Sequence, residues 1–132
     1  SEIAASLVEK LEPFKGTKFD IGHARIGREQ WDFLWQLEPI LSKAGWIFVD
    51  WDGPRRFGKL NWTMQQHAYG EANVSNVAIE LTPEKRAELL PAAKALASAL
   101  NAVGIVTEIM DNPISGISNT ADAVHFLVGE KQ

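Results

Sequence analysis

At 132 residues, 45% hydrophobic and 23% charged, the chain suits one globular domain that buries roughly two thirds of its unfolded surface. A formal net charge of −4 argues against a dedicated nucleic-acid or anionic-membrane binder, because both depend on clustered Lys and Arg. The lack of cysteine excludes disulfides, thiolate metal sites and cysteine nucleophiles.

The first segment, Glu2 to Leu11, places Ile3, Leu7, Val8 and Leu11 on one helical stripe, and Pro13 and Gly16 stop it. The chain opens on Ser1, and this helix, within residues 1–13, is expected to join it to a longer parent. No run of about 18 apolar residues is present, so any membrane contact is expected to come from segments outside this chain.

Phe19-Asp20-Ile21 reads as a short strand, and a helix follows from Gly27–Glu29 to Ala44, with Gly45 as its cap. Phe33, Leu37, Ile40, Leu41 and Ala44 share one helical face and are expected to pack on a sheet. Trp31 and Trp35 then point outward beside Glu38 and Ser42. Exposed large aromatics are commonly covered by a partner, so these two tryptophans are candidate interface residues. The alternative is cover from the amino-terminal helix or a long loop.

Ala44–Pro54 is echoed by Val103–Pro113 at one constant offset, and each segment reads as a helix end, a glycine cap, a strand and a turn. The second copy is preceded by the strand Val77–Leu81 and by a helix opening at Thr82-Pro83-Glu84, where Thr82 is the expected N-cap. Leu89, Ala93, Leu96, Leu100 and Val103 form its stripe. Pro39 and Pro91 fall inside the two helical patterns and are expected to bend or divide them. Ala123–Val128, apolar at nearly every position, reads as a strand covered on both faces.

The expected fold is therefore α/β. A mainly parallel or mixed sheet of about five strands is built from two duplicated strand-helix-strand units, with helices on both faces and an additional amino-terminal helix. Residues 52–76, rich in Gly, Asn and Gln, form a connection too long for an ordinary loop. Trp62 and Met64 suggest that it docks, as a short hairpin or otherwise.

Right-handed crossovers would bring the carboxyl ends of the strands to one edge, where α/β sheets bind ligands. The residues delivered there are candidates for a small phosphate- or carboxylate-bearing ligand: His23, Arg25, Arg28, Asp50, Asp52, Arg55 and Arg56. Gly22-His23-Ala24-Arg25-Ile26-Gly27-Arg28-Glu29 has the glycine spacing of a phosphate loop, but Arg28 and Glu29 stand where its Lys and Ser or Thr belong. Backbone amides at the helix start remain a general anion site. Asp50 and Asp52 leave a strand on one side, as acid-base or metal pairs do, although Asp52-Gly53-Pro54 is also ordinary turn chemistry. Arg55, Arg56 and Lys59 can neutralise an anion or simply pair with nearby acids.

His23, His67 and His125 lack the close spacing of zinc sites; His23 is the one placed for catalysis, and His125 reads as a hydrogen-bonded sheet residue. Ser115, Ser118 and Thr120 lack the glycine pattern of a nucleophile elbow. No metal, cofactor or catalytic motif is read.

The motifs Leu11-Glu12-Pro13-Phe14-Lys15-Gly16, Ala44-Gly45-Trp46 and the closing Val128-Gly129-Glu130-Lys131 resemble those of a group of proteobacterial proteins in which transmembrane and coiled-coil segments precede a soluble carboxyl-terminal domain. The resemblance implies a membrane-tethered α/β domain on a helical stalk and brings no catalytic residue with it. Two functions follow as expectations. The first is a non-enzymatic interaction or sensing domain that self-associates or meets another protein through Trp31 and Trp35. The alternative is a small-molecule site or enzyme at the strand ends.

Overall fold

A computed structural model describes residues 1–24, 27–62, 65–111 and 118–132. Three helices, α1 (Glu2–Leu11), α2 (Arg28–Lys43) and α3 (Arg86–Ala102), accompany seven strands: β1 (Lys18–His23), β2 (Ile47–Phe48), β3 (Arg56–Trp62), β4 (Gln65–Glu71), β5 (Val77–Glu80), β6 (Thr107–Ile109) and β7 (Ala123–Val128). The sheet runs β3-β4-β1-β7-β5-β6, and the two-residue β2 pairs with the start of β1. The fold is α/β with a mixed sheet. Its two strand-helix-strand units, β1-α2-β2 and β5-α3-β6, each contain a parallel strand pair.

The same glycine chemistry ends both unit helices. Gly45 and Gly104 adopt φ of +83° and +85°, a backbone that L side chains seldom take. The amide after each, Trp46 and Ile105, then donates 3.0 Å back to Leu41 and Leu100, which satisfies carbonyls that the helix end would leave open. At the other end of α2 the Gln30 side chain accepts from the Gly27 amide at 3.1 Å.

Four sequence expectations need correction. The sheet has seven strands rather than about five, because residues 52–76 are largely the β3-β4 hairpin, antiparallel with a bulge between Arg56 and Gly58. In that hairpin Met64 lies outside the described residues. Neither proline divides its helix: Pro39 and Pro91 are interior to the continuous α2 and α3, and both face solvent, where water can serve the carbonyl each leaves open.

Third, the helices lie on one face rather than two. α1 packs against both α2 and α3, and side chains from all three share one core with Phe19, Ile21, Ile79, Val124 and Phe126. β7 stands between the units, parallel to β1 and antiparallel to β5. The units are thus turned about an axis normal to the sheet, which reverses strand direction while two crossovers of the same hand keep their helices on the same side. Fourth, and for the same reason, the strand ends do not share an edge: β1, β4 and β7 finish at one end of the sheet, and β5 and β6 finish at the other.

α1 is part of this core. Leu7 and Leu11 are buried, and the Trp46 indole donates to the Leu11 carbonyl at 3.0 Å. The helix-free face is covered by loops instead. Trp51, fully buried, lies over Gly22 and Gly70 and packs with Ala72, Ala78 and Leu127. No helix among the described residues is long and apolar enough to cross a membrane.

Candidate functional site: an aromatic row between α2 and the hairpin

On the helix side, β1 delivers His23 beside β4, and α2 rises directly after it. The His23 ring stacks on Tyr69 with centroids 4.5 Å apart and lies 6.1 Å from Trp31. Tyr69 in turn meets Phe57 of β3 at 6.1 Å. The result is a row, Trp31-His23-Tyr69-Phe57, bridging helix and hairpin, with Trp35 one helical turn beyond Trp31. Its interior is packed and its ends are open: Trp35 is 62% and Phe57 61% exposed. Trp31 is half-buried, so the two tryptophans separate in role. One covers His23, and the other remains on the surface.

Burial pushes the His23 pKa down to about 4, against a smaller opposing pull from Glu71. Its Nε2 is buried without a hydrogen-bond partner among the described residues. Burial also raises the Tyr69 hydroxyl pKa. At the rim Arg55 pairs with Glu71 at 2.7 Å, and the strand register sets Glu71 beside His23.

The sign of the pH dependence follows from the depressed His23 value. The unfolded chain takes up a proton near pH 6.5 and the folded chain only near 4, so His23 favours folding above pH 6.5 and loses that contribution as pH falls toward 4. The loss is at most about 3 kcal/mol. Thermal melts between pH 7 and 4 should fall less steeply for His23→Phe, which keeps the ring stack but not the titration. Identical pH slopes in the two proteins would refute this assignment.

Of the residues picked out by sequence, His23 and Arg55 are brought together through Glu71. Asp50 lies apart: its Oδ1 accepts from the Ala68 amide at 2.7 Å and stands 3.3 Å from His67 Nδ1. Asp52 and Arg56 are exposed, and the Asp52 carbonyl accepts from the Asn119 amide. Arg28 is exposed at the start of α2, 4.0 Å from Asp32. Arg25 lies outside the described residues. No group of three His, Cys, Asp or Glu among the described residues is placed to hold a metal.

Sequence reading missed Tyr69 and Phe57, which meet on the helix side of the β3-β4 hairpin. It also missed a polar cluster on the helix-free face. Fully buried Asp20 and His125 meet at 2.7 Å between Oδ1 and Nδ1, and the Thr82 hydroxyl stands 3.3 Å from His125 Nε2. The expectation that His125 is a hydrogen-bonded sheet residue holds. The signal for its partner was a lone acid, Asp20, in an apolar strand. Comparison with known protein families, with curated proteins and with solved structures finds no match to this chain.

Proposed function

We propose that this chain is an interaction domain that associates with a second copy of itself through the aromatic row. The observation that carries this reading is the pair of large, solvent-facing aromatics, Trp35 and Phe57, at the two ends of a row whose middle is rigidly packed. Such anchors are typical of interface centres. A two-fold axis through the row would set each anchor against the same patch of a second copy. In the parent protein the domain is carried on a membrane-anchored stalk, a reading supported by the resemblance stated above and by the 59% exposure of Ile3 on α1.

The wild-type chain is expected to sediment as a dimer at high micromolar concentration. Trp35→Ser and Phe57→Ser should each weaken association about thirtyfold, the equivalent of about 2 kcal/mol per anchor, while leaving the melting temperature of the monomer nearly unchanged. A wild-type chain that stays monomeric across that concentration range rejects self-association.

A further inference from the structure

Thr82 occupies the N-cap position of the one-turn 3-10 helix Pro83–Lys85, yet its side chain makes no capping hydrogen bond. Its hydroxyl is directed instead to His125 Nε2, and the other ring nitrogen meets the Asp20 carboxylate. We propose that Asp20, His125 and Thr82 form a hydroxyl-activating triad for acyl transfer, on the helix-free face and at the end of the sheet opposite to His23.

The sheet itself builds the arrangement. Asp20 and His125 are direct partners in the β1-β7 register, and His125 pairs with Glu80 across β5-β7. Because side chains alternate along a strand, Glu80 and Thr82 continue on the same face. A carboxylate can only accept, so the Nδ1 facing Asp20 is the ring's donor, and in the tautomer that carries its proton there Nε2 accepts from the Thr82 hydroxyl. That is the order of roles in Ser-His-Asp triads: carboxylate on Nδ1, nucleophile on Nε2. The 3.3 Å separation is the looser spacing found before a substrate closes the site. Asp20 and His125 are fully buried, with Trp51 set edge-on to the imidazole at 6.3 Å between centroids. Thr82 is half-buried and is the member that meets substrate. The second carboxylate oxygen of Asp20 is buried without a hydrogen-bond partner among the described residues, so the acid is not held by the sheet alone.

The substrate class is a small activated acyl group, an ester or thioester, because a secondary alcohol under half-cover admits little bulk. Thr82 Oγ1 attacks the carbonyl carbon as its proton passes to Nε2. The bond to the leaving alcohol or thiol breaks as the imidazolium returns that proton, which leaves an acyl ester on Thr82. Water, deprotonated by the same Nε2, then attacks this ester, releases the carboxylic acid and restores the hydroxyl. Asp20 orients the ring and stabilises its cation without taking up the proton.

The test incubates the full chain with p-nitrophenyl acetate and with an acetyl thioester, following product release and the intact mass. Release catalysed by the wild type, with an acetyl adduct mapped to Thr82, is expected. Thr82→Ala should lose about a hundredfold or more of that rate with little change in thermal stability, and Thr82→Ser should retain it. Asp20→Asn should lower the rate and displace its pH profile, which a purely structural role would not do. A wild type no faster than Thr82→Ala, whether both act or neither does, overturns the proposal, as does acetylation confined to lysines.

Discussion

Trp51→Ala is expected to cost about 3–5 kcal/mol, as removal of a fully buried large aromatic generally does. Among the described residues Trp51 is the largest fully buried side chain, and it stands in for the helix layer that the other face of the sheet possesses. Its indole lies flat because two strands supply glycine beneath it. Gly22 and Gly70 are register partners in β1-β4; a Cβ on Gly22 would approach the six-membered ring to 2.9 Å, and one on Gly70 would overlap the indole itself. Gly70 has no positive φ, so its backbone accepts alanine and only the indole forbids it. Gly70→Ala should therefore cost about 1–3 kcal/mol or more in the wild type. In the Trp51→Ala background the same change should be neutral or mildly stabilising, because alanine loses less backbone entropy than glycine. Urea unfolding of the four proteins measures the coupling. An equal cost of Gly70→Ala in both backgrounds would show that the indole is not what excludes a side chain there.

Asp20→Ala should destabilise the fold by a comparable amount, about 3–5 kcal/mol, because it leaves the fully buried His125 without its strongest partner. Replacing both residues by apolar side chains of similar volume, Asp20→Leu with His125→Phe, should recover much of that loss, since the penalty belongs to the orphaned group more than to the pair. Chemical denaturation of the two single variants and the double variant decides this. Losses that simply add would show that the pair is not energetically coupled. Stability and acyl-transfer rate respond differently across these variants: the apolar double variant can fold, but it cannot activate Thr82.

Much of the backbone was legible from local chemistry. Gly45 and Gly104 stop the unit helices, and the run Ala123–Val128, apolar except for His125, is the fully buried β7. Each follows from nearest neighbours: a residue able to adopt positive φ after a helix, and a strand covered on both faces. The hairpin was harder to read. His67, Tyr69 and Glu71 alternate with Ala68 and Gly70, a weak polar-apolar pattern, and their burial comes from α2 and Trp51, which are distant in sequence.

The candidate sites were less legible still, because each is assembled across the sheet. His23 becomes an aromatic-row residue only where β4 lies beside β1 and brings Tyr69 against it. Asp20, His125 and Thr82 come from three separate strands or strand ends, and the position of β7 between the two units joins them. Local sequence determined where strands and helices begin and end, since capping, periodicity and glycine conformation act within a few residues. Tertiary structure alone decided strand order, the single helical face and the two polar sites, because those depend on register between segments that periodicity describes one at a time.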